Sequence, residues 1–205
     1  TDLKGMFRGL AKFAAGQSSR LQLNHWRAIE AMCRRADAVV CVTEEQRRDI
    51  QKHCPTVHVI LDQLDVYDKT KMDYAAGPVF NLVWEGYPEN LRPFQLIKNA
   101  LLRVDSRHPL ALHLVTKPQV ARYMGRYFMQ PSANLVQGVL DRIHFHDWRE
   151  STAASDITAC DMAVIPIDLR DPLTTGKPEN KLQAFWRMGL PAGAGARGCS
   201  PAQAC

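Results

Sequence analysis

Short apolar runs alternate with amphipathic stretches along most of the chain, and this alternation constrains the fold more than any other feature. Ala38-Val39-Val40-Cys41-Val42 is continuously apolar, as a strand covered on both faces must be. Thr43-Glu44-Glu45-Gln46 follows as a capping box: the Thr and Gln side chains satisfy the first N–H groups of a helix that runs to His53 and stops at Cys54-Pro55. Val57 to Leu61 reads as the next strand. A strand, a helix and a strand joined this closely imply a parallel sheet. Residues 21–38 precede them as an amphipathic helix, with Trp26, Ile29 and Cys33 recurring at three- and four-residue steps.

Asp62 to Pro78 carries Asp65, Asp68, Lys69, Lys71, Asp73 and Gly77 without periodicity and reads as a linker. A second series then begins. Val79 to Trp84 predicts a strand, Gly86 to Asn90 a loop, and Leu91 to Val104 a helix with Leu91, Phe94, Ile97, Leu101 and Val104 on one face. Leu110 to Val115 predicts a strand, Pro118 to Phe128 a helix, Ile143 to Phe145 a strand and Ser151 to Cys160 a helix. Ala163 to Ile167 and Asn180 to Met188 complete the series as strand and helix. The expected fold class is α/β, with Rossmann-like parallel sheets in two blocks. Residues 1–61 read as the C-terminal part of a first, incomplete domain. Residues 62–78 read as the linker and 79–191 as a second domain that is truncated. Residues 192–205 read as a low-complexity tail without a strand signal. The chain starts at Thr1 rather than Met, so an upstream part is expected.

Composition narrows the function classes. Hydrophobic residues make up 46% and charged residues 23%, ordinary for a globular protein with a real core. No run approaches the ~18 apolar residues of a membrane span, and no n-region plus h-region pattern of a signal sequence is read. The net charge of +5 is modest, and its loosest cluster is Lys4, Arg8, Lys12 and Arg20. No nucleic-acid motif accompanies it, so nucleic acid is not an expected partner. None of the six cysteines forms Cys-x-x-Cys, which fits a reducing cytosolic setting and argues against disulfides or zinc. A Walker loop is absent, as is a Gly-x-Ser-x-Gly elbow.

The chemistry gathers after the apolar run Met162 to Ile167, in Lys177-Pro178-Glu179-Asn180-Lys181-Leu182 followed by Phe185, Gly189 and Pro191. A lysine at the entrance of a helix opposes the positive end of the helix dipole unless an anion compensates. A strand, a loop and such a lysine form an anion site. Asn180 reads as the N-cap, with a ligand contact as the alternative, and Glu179 as surface. Trp84 and Glu85 lie at a strand's carboxyl end, where ligands bind in open α/β sheets, although core packing suits Trp84 as well. Lys117 ends the next strand and is a second phosphate or base-edge candidate. His144 and His146 share a strand face, but no third ligand at useful spacing accompanies them, so they read as packing or surface. Asp168 and Asp171 read as loop decoration rather than a catalytic pair.

These passages resemble GT-B-type glycosyltransferases over about Leu21 to Pro191. Three places carry the likeness: Ala36 to Glu44 with Arg48 and Val57 to Ile60; Leu82-Val83-Trp84-Glu85-Gly86; and Cys160 to Pro166 through Asn180-Lys181-Leu182, Phe185 and Gly189-Leu190-Pro191. The last is the most specific. The resemblance implies a GT-B-like two-domain arrangement with the first domain incomplete. It implies transfer of a sugar from a nucleotide-sugar donor to a glycan or lipid-linked acceptor, as in polysaccharide biosynthesis, without a metal or other cofactor. Lys181, Asn180 and Gly86 would hold the donor diphosphate, Gly86 by letting backbone N–H groups come close. Lys117, Trp148 and Glu179 would contact the nucleotide or sugar, Trp148 by stacking. Gly189 and Pro191 would turn the helix into the next strand. The implied setting is cytoplasmic, at the inner face of a membrane, with peripheral membrane association. No catalytic base can be named. The sequence departs from the family where a glutamate usually holds the donor ribose: that slot is Ala184, and its partner acid falls at Gly176. A non-catalytic Rossmann-type nucleotide- or phosphosugar-binding module is the alternative.

Overall fold

The computed structural model describes residues 3–19, 21, 23–61, 67–121, 129–170 and 177–194. Their contacts divide the chain into two compact units. The first contains residues 1–63 with 122–128 and 175–178; the second contains residues 64–121, 129–174 and 179–205.

In the first unit, α1 (Leu3–Ala14) and α2 (His25–Arg35) precede β1 (Val39–Cys41), α3 (Glu44–Ile50) and β2 (Val57–Val59). Asn24 caps α2, its Oδ1 accepting the Trp26 N–H at 3.0 Å. Thr43 caps α3 by accepting the Gln46 N–H at 3.2 Å, and Gln46 Oε1 accepts the Val42 N–H at 3.0 Å. The reciprocal box expected from Thr43-Glu44-Glu45-Gln46 is thus formed, one residue earlier on the returning side. β1 and β2 pair in parallel, Val39 opposite Val57 and Cys41 opposite Val59. Cys33, Cys41 and Cys54 are buried as small hydrophobes.

The second unit holds β3 (Phe80–Glu85), α4 (Phe94–Asp105), β4 (Leu110–Val115), β5 (Gln119–Ala121), β6 (Met129–Pro131), β7 (Ile143–His146), α5 (Glu150–Thr158), β8 (Met162–Ile165), α6 (Asn180–Arg187) and β9 (Ala192–Ala194). Five of its strands form one sheet in the order β7-β4-β3-β8-β9, with every neighbouring pair parallel. The sheet is double-sided, so its central strands are mostly apolar. Leu82, Trp84, Leu110, Leu112 and Leu114 face α4, packing on Leu91, Phe94 and Leu101. Val83, Val115 and Ala163 face Ile157 of α5 and Phe185 of α6. This is the three-layer α/β architecture expected from the alternation. Starting at β3, the chain adds β4 and β7 on one side, then returns to add β8 and β9 on the other. The reversal places a crevice at the carboxyl ends of β3 and β8.

Three local expectations are corrected. The helix expected over Pro118–Phe128 is instead strand at Gln119–Ala121, paired antiparallel with Met129–Pro131; residues 122–128 lie outside the described residues. Val120 is buried between exposed Gln119 and Ala121, a period of two that three residues were too few to reveal. Ala192–Ala194, expected to carry no strand, is the edge strand β9, with Ala192 opposite Ala163 and Ala194 opposite Ile165. Ala-Gly-Ala has no β propensity, and backbone pairing to β8 decides its conformation. Small size is required there, because a Cβ on Gly193 would meet Met162 Cε at 2.8 Å. Finally, the N-cap of α6 is Glu179, not Asn180, and its side chain makes no capping bond.

The end of α6 follows expectation. Leu190 N–H donates to Phe185 C=O and Gly189 N–H to Trp186 C=O, both at 2.9 Å, a Schellman turn with Gly189 at φ +69°. Residues 67–78 form neither helix nor strand but are bonded within this unit: Lys71 N–H donates to Met188 C=O at 2.8 Å, and Tyr74 O–H donates to Gly189 C=O at 2.7 Å.

Candidate functional site

At the carboxyl edge of the sheet, β3 ends in Glu85 and Gly86, β4 in Thr116 and Lys117, and β7 runs on to Trp148. Glu85, Gly86, Tyr87, Pro88, Lys117 and Trp148 line a cleft of ≈ 220 Å³. Lys181, in the first turn of α6, reaches this edge. Its ammonium donates to Glu85 C=O and lies 4.2 Å from the centroid of the Trp84 ring. Trp84 takes the core role, and its ring also meets a cation, which the sequence did not announce. It is core, 2% exposed and edge-on to Phe94, and it is also the aromatic seat for a cation.

Gly86 has φ +148°, and a Cβ there would overlap Lys181 Nζ. The close approach that needs a glycine is thus that of the lysine ammonium, while the Gly86 N–H donates to Val115 C=O at 3.2 Å. The turn is tied to β4 by Thr116, whose hydroxyl donates to Gly86 C=O at 2.6 Å and whose N–H donates to His146 C=O at 2.9 Å. Buried Ser132 fixes the loop of Lys117: its hydroxyl donates to Lys117 C=O at 2.8 Å and its N–H to Pro118 C=O at 2.9 Å.

Charge at this edge is partly desolvated. Burial raises the Glu85 carboxyl above the ordinary carboxylate range, and the nearby Lys181 ammonium offsets only part of that. Tyr67 is pushed up to about 12, chiefly by burial and then by the Glu85 charge, while the Trp148 indole N–H donating to its oxygen opposes the shift. Trp148 lines the cleft beside it.

Of the residues singled out from sequence, Gly86, Lys117 and Trp148 line the cleft, and Lys181 stands against Gly86. Asn180 opens α6, half-buried, and Glu179 is exposed. Lys177 is exposed and falls within the first unit's contacts. Gly176 and Asp171 lie outside the described residues. Asp168 is bonded through both carboxylate oxygens to Arg170 at 2.9 Å, which lowers its carboxyl from the ordinary value and marks a surface pair. Ala184, the position at which the resemblance would expect a glutamate, is buried. Among the described residues, no group of three or more His, Cys, Asp or Glu is arranged to hold a metal. Thr116 and Ser132 had no motif to announce them, and Tyr67 sits in an aperiodic segment.

The sequence matches no protein-family model and no curated protein. Solved structures do match. TarM superposes with TM-score 0.56 at 13% identity, covering 86% of this chain and 33% of TarM. A point mutant of S. aureus TarM in complex with fondaparinux, α-GlcNAc-glycerol and UDP gives 0.54 at 15% identity, with the same coverage. Sucrose-phosphate synthase from Thermosynechococcus elongatus gives 0.51 at 16% identity, covering 88% of this chain and 46% of the synthase. All are GT-B glycosyltransferases. The chain has the GT-B fold. It spans a third to a little under half of the length of these GT-B proteins. The likeness expected from the donor-site passage is thus a likeness of fold, and the cleft lies at the strands' carboxyl edge, where open α/β sheets place ligands.

Proposed function

We propose that the carboxyl edge of β3 and β8 holds the diphosphate of a nucleotide-sugar, and that the chain is the donor-binding part of a GT-B-type glycosyltransferase. The observation that carries this reading is Lys181, a first-turn lysine whose ammonium is seated over Trp84 and against Gly86 at the topological reversal of the sheet. A cation so fixed stabilises the negative charge that builds on the leaving nucleoside diphosphate as the bond to the sugar breaks. Lys117 supplies a second positive charge across the cleft, and the Trp148 ring a face for the base. Asn180 completes the phosphate contacts, Gly86 leaves room for the Lys181 ammonium, and Glu179 stands at the rim. The UDP bound by the TarM mutant supports a nucleotide-sugar as donor.

The acceptor is a glycan or lipid-linked saccharide, and no catalytic base is assigned. The reaction needs no metal, because lysines take the role of the counter-ion. Cys33, Cys41, Cys54 and Cys160, buried and unpaired, suit a reducing compartment, which supports a cytoplasmic enzyme at the inner face of a membrane. Among the described residues no helix is long and apolar enough to cross one, so contact with that membrane would be peripheral. Buried Ala184, where an acid would hold the ribose, favours a second reading, a binding module without catalysis. Calorimetry with UDP, GDP and their sugar conjugates, on the chain and on Lys181→Ala, tests the donor site. Turnover of whichever conjugate binds, followed as release of free nucleotide, separates enzyme from module.

A further inference from the structure

Glu85 is anomalous in a site for anions. It ends β3 next to Gly86 and lines the cleft with Lys117 and Trp148. Its carboxylate opposes a phosphate wherever Lys181 attracts one. Burial already raises its pKa, and Lys181, whose hydrogen bond goes to the Glu85 backbone carbonyl, offsets this only in part. No described residue donates a hydrogen bond to the Glu85 carboxylate. Tyr67 experiences Glu85 as a charge. A partly desolvated carboxylate with vacant acceptor positions is completed by O–H donors.

We infer that Glu85 reads hydroxyl groups of the bound ligand, accepting one or two O–H bonds from its sugar part. The inference rests on the diphosphate reading of the same cleft. Lys181 would hold the phosphates and Glu85 the adjoining polyol, so one carboxylate and one ammonium would discriminate a nucleotide-sugar from a bare phosphate. The hydroxyls come either from the nucleotide's ribose or from the transferred hexose. The lining offers no other acid in the described cleft, and the buried methyl group of Ala184 accepts nothing.

Pyrophosphate, UDP, GDP, UDP-glucose and GDP-mannose are titrated calorimetrically into the chain, Lys181→Ala, Glu85→Gln and Glu85→Ala, with circular dichroism and thermal melting showing that each variant is folded. Pyrophosphate carries no hydroxyl donors, so its affinity holds or rises severalfold in both Glu85 variants. Nucleotide affinity falls tenfold or more if the ribose is read. If UDP and GDP are unaffected while their sugar conjugates fall tenfold, the hexose is read. Equal effects of Glu85→Gln on pyrophosphate, nucleotide and conjugate, or no effect on any, overturn the inference while leaving the diphosphate site standing. Pyrophosphate and nucleotides that fail to bind the folded chain, or bind Lys181→Ala equally well, overturn the diphosphate reading and this inference with it.

Discussion

Two polar constellations are built on the same pair of strands, β3 and β4, and they are finished differently. Midway along the sheet, Asn81 Nδ2 donates to Val79 C=O at 3.2 Å and to Asp161 at 3.3 Å, and the Asn81 N–H donates to Asp161 at 2.7 Å. Its Oδ1 therefore faces His113 Nε2, 3.2 Å away, which must carry the proton. His113 Nδ1 is then the acceptor for His146 Nε2–H at 2.9 Å, and His146 Nδ1 looks toward Asp156 at 4.0 Å. Asn81, Asp161, His113 and the Nε2 edge of His146 thus find hydrogen-bond partners within the protein. At the carboxyl edge, by contrast, Lys181 rests on a ring and a carbonyl, and the Glu85 carboxylate accepts no described hydrogen bond. A satisfied network holds a fold together; an incomplete one, open to a cleft, is where a ligand finishes the job.

The sharpest ways to break this contrast are substitutions that should separate stability from binding. Trp84→Ala is expected to damage both, because the ring is core and seat at once. Truncating a buried aromatic costs about 3–5 kcal/mol, read as a lower denaturant midpoint, and the ligand site is lost with it. Asp161→Ala strips the ladder of the acceptor for two Asn81 donors. It should lower stability by about 1–3 kcal/mol and leave pyrophosphate affinity unchanged if the ladder is structural. A loss of affinity at constant stability would make the two constellations one.

The smallest effect concerns pH. Burial first, then the neighbouring His144 and His146, lower the pKa of His113. In the unfolded chain the group titrates near its ordinary value of about 6.5. Above that pH both states are neutral and the group contributes no slope. As pH falls below it, the unfolded chain binds the proton first, so stability declines until the folded pKa is reached. Urea midpoints between about pH 7.5 and 5 should fall for the native chain and fall less for His113→Gln, which cannot titrate. Equal slopes would show that the ladder does not hold His113 neutral.

The strands β3, β4 and β8 were legible because burial on both faces makes them continuous apolar runs, and α4 because its apolar face repeats over three turns. β5 and β9 were hidden for the same reason in reverse: three residues carry too little pattern, and pairing partners rather than composition place them. At the edge, Lys181 was legible as a charge at the wrong end of a helix, and Gly86 as a turn after a strand. The ladder was not. His113 lies in a run otherwise apolar, 32 residues from Asn81 and 33 from His146, and only the parallel register that sets His113 beside His144 brings them together. Tyr67 belongs to a segment with no periodicity, so nothing in the chain linked it to Trp148.

The account turns on one residue holding one charge. Calorimetric titration of pyrophosphate and UDP into the folded chain and into Lys181→Ala tests it most directly. Saturable binding is predicted, reduced at least tenfold in Lys181→Ala, as the loss of a charge-assisted bond of about 1.5–3 kcal/mol implies, with the melting temperature little changed. Equal binding by both proteins, or none by a folded native chain, would contradict the claim that this edge of the sheet is a diphosphate site.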